Sequence, residues 1–150
     1  MTLDTTQKTY LVTGATSGLG RAAALGLAKK GARVVLVGRN PAKIEETRRA
    51  IIDETGNPQI GVQVADLSLM DEVRSLAKRL LDDEPTIHVL VNNAGTNIRK
   101  RMTELSLEEY RQVQSTNIES CFEMCRLLYP LLQRGQPASV VNNASVAGLV

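Results

Sequence analysis

Thr13-Gly14-Ala15-Thr16-Ser17-Gly18-Leu19-Gly20 decides the reading of this chain. An apolar run, Tyr10-Leu11-Val12, leads into it, and an alanine- and leucine-rich segment, 21–30, follows with helical spacing. A glycine-rich turn between a strand and a helix is a phosphate cradle. The glycines open backbone torsions closed to other residues and remove side chains that would block a pyrophosphate. The free N–H groups at the start of the helix point at that anion, and the helix dipole adds roughly half a positive charge. The stretch predicts a dinucleotide-binding unit.

Its spacing sets aside two familiar signatures. The common dinucleotide fingerprint is G-x-G-x-x-G, and the mononucleotide P-loop is G-x-x-x-x-G-K-[ST]. Gly14, Gly18 and Gly20 instead read G-x-x-x-G-x-G, and no Gly-Lys-Ser/Thr follows. An ATPase would lack its lysine and its magnesium-binding hydroxyl. An ordinary strand-to-helix turn is also glycine-rich, so the rest of the chain has to decide.

Moving outward, short apolar runs alternate with longer helical patterns, which is the signature of a parallel sheet covered on both faces. Strands are expected over 9–13, 33–37, 60–64, 89–91 and 139–142. Helices are expected over 18–30, closed by Gly31, and from Asn40-Pro41 to just before Gly56, a cap followed by proline at the first helical position. A third helix starts at Ser68 with Val73, Leu76, Ala77, Leu80 and Leu81 on one face. The fourth opens with the capping box Ser106-Leu107-Glu108-Glu109 and runs to about Gln133. It carries Val113, Cys121, Cys125 and Leu128 as a stripe, with a kink at Pro130. The fold class is α/β, a doubly wound parallel sheet of the Rossmann type, with the ligand crevice at the carboxyl ends of the strands. The glycine turn, Asp66, Asn92-Asn93-Ala94-Gly95 and Ser145 all follow strands, so all fall on that one edge.

A chain of 150 residues suits one domain with a real core, here 1–150. Aromatic residues are only 3%, with no Trp, which argues against stacking platforms for single-stranded nucleic acid. A net charge of +2 is too small to suggest a nucleic-acid partner. No apolar run approaches the ~18 residues of a membrane span. The first nine residues are polar, so a cytoplasmic location is expected. Cys121 and Cys125 lie four apart on one expected helix, a poor geometry for a disulfide. The lone His88 is far away in sequence, so no metal set forms, and reduced core cysteines are expected.

These motifs together resemble the short-chain dehydrogenase/reductase family. Thr13-Gly14-x-x-x-Gly18-x-Gly20 is similar to its glycine motif, and Asn92-Asn93-Ala94-Gly95 to its N-N-A-G signature. Asp66-Leu67 sits where the family places an acidic residue that contacts the adenine. Asn117, in Ser115-Thr116-Asn117-Ile118, matches the family's helix asparagine, and Ser145, in Asn143-Ala144-Ser145, its catalytic serine. The resemblance implies hydride transfer between NAD(P)(H) and a small-molecule carbonyl or alcohol. It implies cofactor contacts at Gly14, Thr16, Ser17, Gly18, Leu19, Gly20, Asp66, Leu67, Asn93, Ala94 and Gly95. Ser145 would bond the substrate oxygen and Asn117 would hold a water of the proton relay. Asn93 would also stabilise the sheet. Read singly, Asp66 can begin a turn, Asn92 and Asn93 can satisfy backbone groups, and Ser145 can be a turn hydroxyl.

Cofactor choice follows from charge. NAD readers place an acid at the end of the second strand to hold the ribose 2′-hydroxyl. Gly38 occupies that place here and Arg39 follows it. A guanidinium binds a 2′-phosphate that an acid would repel, so NADP(H) is expected over NAD(H). Arg99-Lys100-Arg101 reads as solvated charge, or else as a site for an anionic substrate group. Thr96-Asn97-Ile98-Arg99-Lys100 resembles both tropinone-reductase-like and gluconate-dehydrogenase-like members.

The family's proton donor is the Tyr of a Tyr-x-x-x-Lys motif, whose Lys lowers the Tyr pKa. Tyr10 is followed four residues on by Gly14, Tyr110 by Gln114 and Tyr129 by Gln133. The resemblance covers roughly the first three-fifths of a family member. The expectation is therefore a cofactor domain incomplete at its C-terminus, inactive alone, and homo-oligomeric when complete. Its fifth strand would be an exposed apolar edge, leaving the chain prone to associate. A non-catalytic NADP(H)-binding module and a truncated product without function of its own are the alternatives.

Overall fold

The computed structural model describes residues 5–144. The apolar runs form five strands, β1 (Thr9–Thr13), β2 (Arg33–Gly38), β3 (Ile60–Val64), β4 (Val89–Asn92) and β5 (Ser139–Asn142). Every pairing is parallel, and the order across the sheet is β3-β2-β1-β4-β5. In the central register, Leu11 lies between Val35 and Leu90. β1 is buried along its whole length, which is why Tyr10, Leu11 and Val12 run apolar without alternation.

Alternate residues feed two cores. Leu11, Val35, Val37 and Leu90 pack with Val73, Leu76, Leu80, Met124 and Leu131 on one face. Tyr10, Val12, Val34 and Leu36 pack with Ala24, Ala28, Ile44 and Ile51 on the other. The second face therefore carries α1 (Gly18–Lys29) and α2 (Pro41–Thr55), whereas the first carries α3 (Met70–Asp83), α5 (Ser120–Leu127) and α6 (Tyr129–Arg134). α2 begins and ends as its sequence predicts. Asn40 Oδ1 accepts from the Lys43 N–H (3.0 Å), and Gly56 closes the helix at φ +69°.

Three expectations need correction. Leu81 is 37% exposed. It lies about 90° from the centre of the arc set by Val73, Leu76, Ala77 and Leu80, off the sheet-facing side. The third helix starts at Met70, not Ser68, because Asp66 Oδ1 accepts from the Ser68 N–H (3.0 Å) and hydroxyl (2.7 Å) and folds 66–69 into a turn. The fourth helix is not continuous. α4 (Leu107–Gln114), with its capping box in place, passes through one π turn, Ser115–Glu119, into α5. The chain then breaks at Leu128, which puts Pro130 in the first turn of α6, where no N–H is required. Met124 and Leu128 fill the core, while Val113, Cys121 and Cys125 are half-buried. Both thiols are free.

β5 is the outermost strand, with Val140 and Val141 43% and 47% exposed. From β1 the chain builds outward through β2 and β3, then returns through α3 to place β4 on the other flank of β1. That reversal opens a crevice at the carboxyl ends of β1 and β4.

Candidate functional site

Thr13, the last residue of β1, ties the two flanks of the crevice together. Its Oγ1 accepts from the N–H groups of Asn93 and Ala94 (both 2.9 Å). Asn93 Nδ2 in turn donates to the carbonyls of Thr13 (3.1 Å) and Gly14 (3.2 Å). Asn92 is buried, and its Nδ2 donates to Asn142 Oδ1 (2.9 Å) on β5. These bonds hold the glycine turn against the loop after β4.

The floor of the turn has no room for side chains. Gly14 sits at φ +62°, and a Cβ there would stand 2.9 Å from Ala94 Cα. A Cβ on Gly20 would stand 2.4 Å from both Asn93 Nδ2 and the Gly14 carbonyl oxygen. Ser17 is the N-cap of α1 but makes no side-chain capping bond, so the first N–H groups of the helix keep no such partner. An uncapped helix start beside a side-chain-free floor suits an anion held by backbone donors.

Around this floor lies an open cleft of about 280 Å³. Gly14, Thr16 and Ser17 line it from the glycine turn, and Val37, Gly38 and Arg39 from the end of β2. Ala65, Asp66, Leu67 and Ser68 line it after β3, and Asn93, Ala94, Gly95 and Thr96 after β4. Nine of the residues expected to contact the cofactor thus meet in one place. Gly18, Leu19 and Gly20 do not line it: Gly18 and Leu19 are exposed at the helix start and Gly20 is buried beneath. Gln112 and Thr116 complete the wall, one turn apart, with the Thr116 hydroxyl donating to the Gln112 carbonyl (2.8 Å). Sequence reasoning missed both. No glycine or strand end marks them, and their i, i+4 spacing beside Asn117 was the one available signal.

Arg39 is exposed on the rim and has no ion-pair partner among the described residues. Asp66 spends Oδ1 on Ser68, while Oδ2 has no partner among the described residues. Asn117, within the π turn, clasps one backbone unit from both sides. Its Oδ1 accepts from the Thr96 N–H (2.8 Å) and its Nδ2 donates to the Thr96 carbonyl (2.9 Å). The Cys121 thiol, pushed up by burial, donates to the Asn117 carbonyl (3.4 Å). Ser145 lies outside the described residues. Arg99, Lys100 and Arg101 are exposed and do not line the cleft. Lys100 pairs with Glu109, whose carboxyl it holds below the usual range. Among the described residues, no cluster of His, Cys, Asp and Glu could hold a metal ion, and no helix is long and apolar enough to cross a membrane.

The sequence matches the short chain dehydrogenase family over residues 8–150. The chain belongs to the short-chain dehydrogenase family. Among its relatives is a tropinone reductase homolog of Arabidopsis thaliana, 40% identical over 145 residues, which cover 95% of this chain and 54% of the relative. A 3beta-hydroxysteroid dehydrogenase of Mediterraneibacter gnavus is 39% identical over 144 residues, 95% of this chain and 51% of that one. This family member thus spans about half the length of those relatives. Among solved structures, L-sorbose reductase of Gluconobacter frateurii complexed with NADPH and L-sorbose superposes with a TM-score of 0.90 at 26% identity, covering 98% of this chain and 56% of that one. Pseudomonas aeruginosa RhlG, as an NADP active-site complex, gives 0.86 at 32% identity, covering 95% and 56%.

Proposed function

We propose that these residues are the NADP(H)-binding part of an oxidoreductase that interconverts a carbonyl and an alcohol. The observation that carries this reading is the side-chain-free floor at Gly14 and Gly20 beneath the uncapped start of α1. Bound there, a nicotinamide cofactor supplies or accepts a hydride. The chain's own residues bind and orient it. The first N–H groups of α1 would hold the pyrophosphate, Asp66 and Leu67 would meet the adenine, and Asn93, Ala94 and Gly95 would wall the cofactor on the side of β4. Arg39, exposed and unpaired on the rim, takes a 2′-phosphate, and Gly38 offers no acid to repel it. The relatives solved with NADP or NADPH support the same choice.

In such a reaction Ser145 would bond the substrate oxygen, and Asn117, which holds the backbone of Thr96, would also hold a water of the proton relay. None of Tyr10, Tyr110 and Tyr129 has a lysine four residues on, so these 150 residues bind the cofactor without turnover. Fluorescence titration with NADPH and NADH tests the reading. NADPH is expected to bind more tightly, with no consumption when a carbonyl is added. Tighter binding of NADH overturns the choice of cofactor, and failure to bind either overturns the function.

A further inference from the structure

The end of β5 is tied to the glycine turn through side chains as well as through the sheet. Asn143 Nδ2 donates to Asn93 Oδ1 (2.9 Å), and Asn93 Nδ2 donates to the carbonyls of Thr13 and Gly14. The Asn143 backbone N–H is itself held by the Asn92 carbonyl (2.9 Å). The direction of this relay is forced. Thr13 and Gly14 offer Asn93 only carbonyls, so its amide must present NH2 to them and turn its oxygen outward. That outward oxygen has one side-chain donor among the described residues, Asn143. A flipped amide would turn an oxygen toward those two carbonyl oxygens, so Asn143 meets the orientation that the glycine turn demands and holds it from the outer side. The space where the Asn93 NH2 meets the Gly14 carbonyl is the space that a Cβ on Gly20 would fill.

We propose that Asn143 is a positioning residue for the cofactor cradle. By holding the outward oxygen of the Asn93 amide it restrains that side chain against the Gly14 carbonyl, and so steadies the glycine turn, from the strand end that leads to Ser145. The inference rests on the cofactor-site reading above. It also links the two regions reciprocally: a ligand that orders the turn steadies the end of β5, and loosening that end weakens the ligand.

Asn143→Leu keeps the size of the side chain and removes its donor, and Asn143→Ala removes the side chain. Asn143 is exposed, so the fold is expected to survive both substitutions, with Tm within about 3 °C of the parent. Amide hydrogen exchange without cofactor is expected to speed up at residues 13–20 and stay unchanged in β2 and β3. The Kd for NADPH is expected to rise about threefold, the effect of one lost hydrogen bond. Unchanged exchange at 13–20 in both variants overturns the inference, as does a rise spread over the whole sheet, which marks a merely structural role. If the parent chain binds neither cofactor while both substitutions loosen 13–20, the coupling stands and the cofactor reading falls. If the parent binds NADPH and neither substitution changes exchange or affinity, the cofactor reading stands and the coupling falls.

Discussion

A Cβ on Gly38 would stand 2.9 Å from Thr16 Cγ2 and 3.2 Å from Ile44 Cδ1. The glycine turn and the end of β2 therefore meet only because position 38 carries no side chain. An acid placed there to grip a ribose hydroxyl has no room while the Thr16 methyl remains. Gly38→Asp is expected to weaken NADPH binding by about tenfold or more, through crowding and charge, without a gain for NADH. Adding Thr16→Ser removes the methyl and is expected to turn the preference toward NADH. Parallel titrations of both variants check this, and tight NADH binding by the single variant would count against it.

Gly20 and Gly26 share α1 yet predict opposite outcomes. Gly20→Ala drives a methyl into the Gly14 carbonyl and the Asn93 amide, and is expected to cost about 1–3 kcal/mol together with cofactor binding. A Cβ on Gly26 meets nothing within 4 Å, so Gly26→Ala should gain about 0.5–1 kcal/mol from lost backbone freedom in the unfolded chain. Thermal melts of the matched pair, read with and without NADPH, separate packing from propensity.

The Glu84 carboxylate is 4% exposed and is gripped by two arms of Arg33, Nε to Oε2 at 2.8 Å and Nη2 to Oε1. Arg33→Leu would strand that buried charge, for an expected loss of about 3 kcal/mol in urea unfolding. Replacing Glu84 with Leu as well should recover most of it, since no unpaired charge then remains. A double variant no more stable than the single one would refute this account.

His88 sits at the opposite end of the sheet from the cleft, and its Nδ1 accepts from the Thr9 N–H (3.0 Å). Burial, and then Lys8, hold its pKa below the ordinary 6.5. Between the lowered folded value and 6.5 the unfolded chain binds more protons than the folded one, so stability falls as pH falls. Tm is expected to be level above about pH 6.5 and to decline below it. His88→Asn, which keeps an acceptor that cannot charge, should flatten that decline. An equal decline in both proteins would remove His88 as its cause.

The sheet was legible because both faces of β1 and β2 are buried, which writes their strands as unbroken apolar runs. The expected bounds of β1, β3 and β5 agree with the observed ones, and Asn40-Pro41 and Gly56 marked the ends of α2 by local chemistry alone. The long fourth helix was not legible. Its capping box announced the start, but the π turn at Ser115–Glu119 coincides with the Asn117 clasp on Thr96, a contact 21 residues away that no helical period encodes. The same tertiary contact brings Gln112 and Thr116 to the cleft. Leu81 was misplaced because a five-residue apolar list is broader than the arc that one helix turns toward a sheet.

The bonds from Thr13 to Asn93 and Ala94 join residues 80 and 81 positions apart. No hairpin or single β-α-β unit contains both ends, so the cradle comes into being only when β4 docks beside β1. A partly folded chain would have no low-affinity version of the site. Any ligand that fills the cleft thus discriminates the finished fold from every earlier state. At a concentration of 100 times its Kd it would favour that fold by about 2.7 kcal/mol. The supply of cofactor in a cell would then set how much of the protein is folded, as well as how much is loaded.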